Sequence, residues 1–438
     1  MAFSAGAARQ EITPPIGTGL SGFIARLEPS NAIGSPLQVR AVVLSDGTRL
    51  AAIVQADLVG FGRWHVEAVR DFASTTLGIP KEYVLLSATH THSGPGVARI
   101  RGCEVAPYAY QWEMVGKINT ALLQAKERLS PASFSTASVP YTFGFNRREE
   151  TANGVILGFA PEKPRPESLT VTSIRNRSQE ILLYSHAAHP YILGGEGLAI
   201  SGDFPSFASQ ELEADGQRLG LFLNGCAGNI RPQGAFEGLD RAVQEGKRMA
   251  SAVEEACRHL SGFDSQLLLD ALSKQVHLPF IPLPSEAEIA EIAGQQERVV
   301  RPDERTNPAV EKKIHDAVSE WASLMTDIVH LKVPLEPVFS EVQTLRIGLF
   351  ALVGISGEPF FEIGESARAV SPFEVTWPLG YTNAYCGYIP TRKEYPGGGY
   401  EVNDSWKYVG QWKMDDSGED RIVEAARQEL SLLGDRAP

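Results

Sequence analysis

Again and again along this chain a short apolar run breaks off into a polar or glycine-rich loop. Arg49 to Asp57 (RLAAIVQAD) ends in an acid. Tyr83 to Ser87 (YVLLS) leads into a THTH segment. Glu180 to Ser185 (EILLYS) runs into His186 and His189, Arg218 to Leu223 (RLGLFL) into NGCAGNIRP, and Leu349 to Ile355 (LFALVGI) into SGEPF. Runs of this length between turn signals read as buried strands, and helix-like stretches such as Trp64 to Leu77 lie between them. The chain therefore reads as α/β. In such folds ligands sit where strands end, so the loops are the places to look for chemistry.

Ser285 to His330 departs from this pattern. It is rich in Glu, Ala, Lys and Gln at helical spacing, breaks near Arg301 to Pro308, and follows the proline-rich LPFIPLPSE. It predicts two helices forming an excursion over about 283–331. Strands resume near Val342, and Arg421 to Leu433 closes the chain as a helix with a frayed tail.

Composition narrows the function. The chain has 438 residues, 43% hydrophobic and 21% charged, which is ample for a buried core. Its net charge of −13 excludes a general nucleic-acid binder, which needs a basic footprint. Cys103, Cys226, Cys257 and Cys386 form no CxxC pair, which argues against a cysteine zinc site and for a reducing compartment. The start MAFSAGAARQEITPPIG lacks a signal-peptide pattern, and no window approaches the roughly 18 apolar residues of a membrane span. The expectation is a cytoplasmic protein without stable membrane insertion. Oligomeric state stays open, a homo-oligomer included.

In SATHTHSGPG, residues 87 to 96, side chains two apart at a strand end face one side. His90 and His92 can both ligate one metal, or one can ligate while the other moves protons, or both can be hydrogen-bonded turn residues. HAAHP, residues 186 to 190, places a further pair past another strand, followed by ISGD at 200–203. Glu358 in SGEP is a carboxylate in the same situation. The stretch NAYCGYIPTRKEYPGGGY, residues 383–400, is dense in tyrosine, a residue type that can stabilise an oxyanion or ligate a metal. His65, His259, His277, His315 and His330 fall in helix- or strand-like stretches and read as structural.

Taken in order and spacing, SATHTHSGPG, HAAHP with ISGD, NGCAGNIRP, SGEPF and NAYCGYIPT resemble the neutral (non-lysosomal) ceramidase family, and ARQEITPPIG resembles the start of its catalytic domain. The resemblance spans nearly the whole chain. It implies one layered, mixed-sheet catalytic domain over 1–438, without that family's C-terminal immunoglobulin-like domain. It also implies a zinc amidase acting on a small N-acyl amide. His90, His189, Glu358 and Tyr388 match the family's zinc ligands, and His92 matches a histidine that assists proton transfer. Tyr388 and Tyr400 match active-site tyrosines, and Arg147 in FNRR matches an arginine that contacts substrate. His189 rather than His186 keeps the family's distance to the Ser-x-Asp segment. One loop departs: where the family carries a serine, this chain reads Gly228-Asn229-Ile230-Arg231-Pro232. Arg231 at that place points away from ceramide itself, and with Arg147 it suits an anionic substrate group.

The implied route is a water activated by zinc attacking the amide carbonyl. His92 passes the proton, and Tyr400 with N–H groups of the Gly225 to Gly228 loop receives the oxyanion. Asp57 and Asp203 are candidates for orienting a ligand histidine, or simple cap and turn residues. Ester or lactone cleavage, and a non-catalytic metal- or ligand-binding protein, remain as alternatives. A barrel amidohydrolase is disfavoured because HxH follows at least two earlier strands. A serine hydrolase is disfavoured because no G-x-S-x-G occurs. Gly17 to Gly22 (GTGLSG) fits a dinucleotide fingerprint but follows Pro-Pro rather than a strand.

Overall fold

The computed structural model describes residues 2–295 and 307–436. Two sheets lie face to face and helices cover both outer sides. The larger sheet runs in the order Leu269–Leu278, Val338–Ile347, Phe350–Ser356, Val375–Thr382, Val84–Ala88, Leu50–Ala56, Gln38–Ser45, Ser4–Glu11 and the short edge Ser130–Pro131. The smaller runs Arg218–Phe222, Glu180–Ser185, Ser168–Arg175, Ser133–Pro140. Both are mixed, as expected. Leu50–Ala56 is parallel to Val84–Ala88, Phe350–Ser356 to Val375–Thr382, and Glu180–Ser185 to Arg218–Phe222.

Strand periodicity explains the layering. In Gln38–Ser45, Val39, Ala41 and Val43 face the helices Arg63–Leu77 and Tyr108–Glu127, while Val42 and Leu44 face the second sheet. In Glu180–Ser185, Ile181 and Leu183 fill the inter-sheet layer, whereas Leu182 and Tyr184 meet the helices Asp203–Leu212 and Leu239–Arg258. Strands buried on both faces carry no polar face, hence the unbroken apolar runs.

The helices carry ordinary start and stop signals. Arg63–Leu77 buries Val66, Val69, Ala73 and Leu77, and ends at Gly78 (φ 67°), whose N–H closes on Ala73 O. The expected excursion is two helices. Glu286–Gly294 starts with a Ser285/Glu288 capping box, and Pro308–His330 with an Asn307 cap and proline in its first turn. The break expected near Arg301 to Pro308 lies mostly outside the described residues. Both helices pack around fully buried Trp321, whose ring meets Trp406 at 5.1 Å and Trp412 at 6.2 Å. Among the described residues no helix is long and apolar enough to cross a membrane.

The halves of the large sheet meet at one register pair, Thr382↔Ser87, near the C-terminal ends of two strands. The side chain of Asn383 bridges this junction. Its Oδ1 accepts from Leu86 N at 3.2 Å and its Nδ2 donates to Gln343 Oε1 at 2.9 Å. The loops bearing His90 and Glu358 leave the sheet around this point, the kind of switch in strand direction where open sheets bind ligands.

Candidate metal centre and its cavity

His90, His92 and His189 come together in the interior, with ligating atoms of all three within 4.8 Å of one another. His90 and His92 do not owe this to strand alternation. The strand ends at Ala88, and His90 sits beyond it at φ 71°, a left-handed conformation costly for histidine. The turn brings Nε2 of His92 to 3.3 Å from Nε2 of His90. His90 is held by its Nδ1 donating to Val59 O at 2.6 Å and by stacking on Tyr381 at 4.0 Å. His189 donates Nδ1 to Ala227 O at 2.7 Å.

These backbone bonds settle the tautomers. A carbonyl only accepts, so each Nδ1 carries a hydrogen, and in the neutral imidazole each Nε2 is left with a lone pair. Both lone pairs point at one carboxylate oxygen: Glu358 Oε2 lies 3.2 Å from His90 Nε2 and 3.1 Å from His189 Nε2. With the imidazoles neutral, three acceptors face one another among buried side chains, an arrangement a cation in their midst would satisfy. Imidazoles anchored through the opposite nitrogen are the usual form of metal-ligating histidines.

The electrostatics agree. Burial, then the nearby Arg147, pushes His189 down to about 3, so it is a neutral imidazole at ordinary pH. Burial, then His90 and His189, holds His92 well below the usual histidine range. Burial pushes the Glu358 carboxyl upward, but His90 and His189 outweigh it and hold it well below the usual carboxylate range.

Tyr388 places its hydroxyl 3.5 Å from His189 Nε2 and accepts from Arg147 Nη2 at 3.0 Å. The Tyr400 ring meets Tyr388 edge-on at 5.7 Å. Two tyrosines that the sequence reading missed belong to the cluster. Tyr385 donates its hydroxyl to Glu358 Oε1 at 2.7 Å, and Tyr381 stacks on His90. The tyrosine-dense stretch was the signal for Tyr385, but Tyr381 just precedes it.

Arg147 and Arg231 grow from one two-stranded ribbon, Gly144–Asn146 against Ile230–Pro232. Both line the cavity, but their side chains are held differently. Arg147 is buried and donates to Glu401 at 2.9 Å, Glu401 also accepts from Arg148 at 2.6 Å, and Arg148 pairs with Glu394 at 2.8 Å. Arg231 is half-buried and donates to Gly158 O at 2.9 Å.

In the Gly225 to Gly228 loop one N–H is not free for an oxyanion. The Gly228 N–H is spent on Pro359 O at 2.9 Å, and the loop serves instead through Ala227 O, which orients His189. A Cβ on Gly228 would come within 2.4 Å of Glu358 O, so glycine lets the two loops touch. Asp57 accepts from Gln38 N and Gln55 and faces Arg40; Asp203 accepts from Leu193 N and Phe204 N. Neither bonds a ligand histidine. His186 is consumed by Gly144 N and Ser168 O, and buried His65 by Gly62 and Gln111. Gly22, from the discounted glycine motif, lies against His92: at φ 100°, its Cβ would sit 2.5 Å from His92 Cγ.

The cluster opens into a cavity of about 1080 Å³. His90, His92, Glu358, Tyr388 and Tyr400 form its polar end, and Phe23, Ile24, Ile100, Ile156 and Leu157 are among its apolar walls.

Neither the family models nor the curated proteins searched give a match to this chain. Solved structures do. The chain is similar to neutral ceramidase from Pseudomonas aeruginosa, at TM-score 0.75 and 19% identity over 100% of this chain and 75% of that one. It is equally similar to a ceramidase complexed with C2, over 100% and 76%. The catalytic-domain fold expected from the motifs is therefore the fold observed.

Proposed function

We propose that this protein is a zinc-dependent hydrolase of a linear amide bond in a small N-acyl substrate, with the whole chain acting as one catalytic unit. The observation that carries this reading is the convergence of His90 Nε2, His189 Nε2 and Glu358 Oε2, an all-acceptor set when both imidazoles are neutral. Two imidazoles and a carboxylate suit zinc, with the Tyr388 hydroxyl next in reach. The likeness to ceramidase structures supports an amide as the bond acted upon. A zinc ion held there supplies a polarised water of lowered pKa and an electrophile for the amide carbonyl.

The chain's own residues complete the chemistry. In hydrolysis the water's oxygen joins the acyl carbon, the C–N bond breaks, and the departing nitrogen takes up a proton. His92 is the group to carry that proton. It lines the cavity, its Nε2 is 3.3 Å from His90, and its Nδ1 has no hydrogen-bond partner among the described residues. Its lowered basicity keeps it neutral at ordinary pH, and a proton it takes up is readily passed on to the departing nitrogen. Tyr400 and Tyr388 keep protonated hydroxyls, because burial, then Glu358, raises both well above the ordinary phenol range. A protonated phenol can donate to a developing oxyanion.

The test is metal content with turnover. We expect about one zinc per chain, lost in His189→Ala, and N-acyl amide hydrolysis that stops with chelator and returns with zinc. Protein purified without chelator that holds no stoichiometric metal, or hydrolysis indifferent to chelator, overturns the proposal.

A further inference from the structure

Among the described residues, four charged side chains of the Asp, Glu, Lys and Arg types line the cavity: Arg147, Arg231, Glu358 and Asp404. Three are accounted for. Glu358 faces the histidines, Asp404 pairs with Lys407 at 3.0 Å, and Arg147 belongs to a group of two arginines and two glutamates that is neutral as a whole. Arg231 differs: among the described residues it has no acid within ion-pair distance. Among the described residues its polar contact is to the carbonyl of Gly158, and its guanidinium lies 5.7 Å from the Phe159 ring. Glu149, on the strand Arg148–Thr151, accepts from Phe159 N at 2.9 Å. In a chain of net charge −13 the long-range field repels anions, so recognition of one must come from a local cation of this kind.

Arg231 is also close to the chemistry. Its neighbour Ile230 offers the carbonyl that lies 3.2 Å from His189 Nδ1. The guanidinium thus starts one residue from the backbone that orients a proposed zinc ligand, and faces a cavity otherwise walled largely by apolar and aromatic groups. We propose that Arg231 anchors a carboxylate placed next to the scissile amide, so that the substrate class is an N-acyl amino acid: an apolar acyl chain, an amide and an adjacent carboxylate. A planar guanidinium binds a carboxylate through two parallel hydrogen bonds, and the acyl chain takes the apolar walls. This rests on the hydrolytic reading for its scissile bond, but not for its binding step.

The test compares N-dodecanoylglycine with neutral N-dodecanoylethanolamine, by turnover and by calorimetric binding to the zinc-loaded protein. Wild type is expected to favour the carboxylate. Arg231→Gln is expected to weaken binding and raise KM for the carboxylate by about 10–100-fold, while changing the neutral amide less than threefold. Arg231→Lys is expected to recover part of the loss by keeping the charge without the fork. Equal affinity of wild type for both compounds, or equal losses on both in Arg231→Gln with Arg231→Lys no better, overturns the proposal and leaves amide hydrolysis standing. Arg231-dependent binding of N-dodecanoylglycine without cleavage of either compound supports the anion site and overturns the hydrolytic reading instead.

Discussion

Replacing Tyr385 by Phe removes a single oxygen and keeps the ring. That oxygen donates to Glu358 Oε1 at 2.7 Å, leaving Oε2 as the atom that faces His90 and His189. The donor is secure: burial, then Glu358, raises the phenol well above its usual range, so it stays protonated. Losing a hydrogen bond to a charged acceptor costs about 1.5–3 kcal/mol, a factor of roughly 10–150 in an equilibrium constant. Removing a group that orients a metal ligand typically lowers metal affinity about 10–100-fold, by a separate line of evidence. The two ranges overlap, so Tyr385→Phe should bind zinc about 10–100-fold more weakly. Competition against a chromophoric chelator measures this directly, with a thermal melt of the zinc-free protein as the folding control. A folded variant whose zinc affinity stays within about threefold of wild type would falsify the idea that Tyr385 aims Glu358.

Glu429 and Gly22 give further tests. Glu429 is buried on the helix Gly418–Gly434, accepts from Thr344 at 2.8 Å, and is pushed up to about 7, chiefly by burial. A raised carboxyl contributes stability that is present below its unfolded pKa near 4.5 and lost as pH rises through 7. Glu429→Gln should therefore match wild type near pH 4 and gain on it up to about pH 8, by as much as about 3 kcal/mol in urea unfolding. A difference that is flat with pH contradicts the assignment. Gly22→Ala would drive a Cβ into the His92 ring. Amide turnover should fall at least about tenfold with zinc content unchanged, since His92 is read as a proton carrier. Zinc lost in step with activity would make His92 a ligand.

Much of the fold was legible because strands buried on both faces must be apolar throughout, and Val84–Ala88, Glu180–Ser185 and Phe350–Ser356 appear almost where the sequence placed them. Strand direction was not legible, because parallel and antiparallel neighbours present the same apolar alternation. The choice of His189 over His186 agrees with the geometry: His186 spends both nitrogens on backbone, while His189 spends one and aims the other inward. Three features escaped for physical reasons. Tyr381 reads as an ordinary strand residue, and only its φ of 57° turns it towards His90. Gly22 sits in a glycine pattern that mimics a phosphate loop, and its use is to let a histidine approach. The Gly225 to Gly228 loop looked free to donate, but Gly228 had already been claimed by Pro359.

The group Arg147–Glu401–Arg148–Glu394 bears on how such a chain can change over time. Glu401 is almost wholly buried between two arginines, which hold its carboxyl below the usual range against the upward push of burial. Losing Glu401 alone strands the Arg147 cation beside the Tyr388 hydroxyl and leaves Arg148 to Glu394 alone, and losing Arg147 alone leaves that hydroxyl without its donor. Either single step is costly, whereas replacing acid and base together keeps the charge balanced. These positions should therefore drift through sequence space in pairs, and a descendant that has altered one will carry the record of its partner's change.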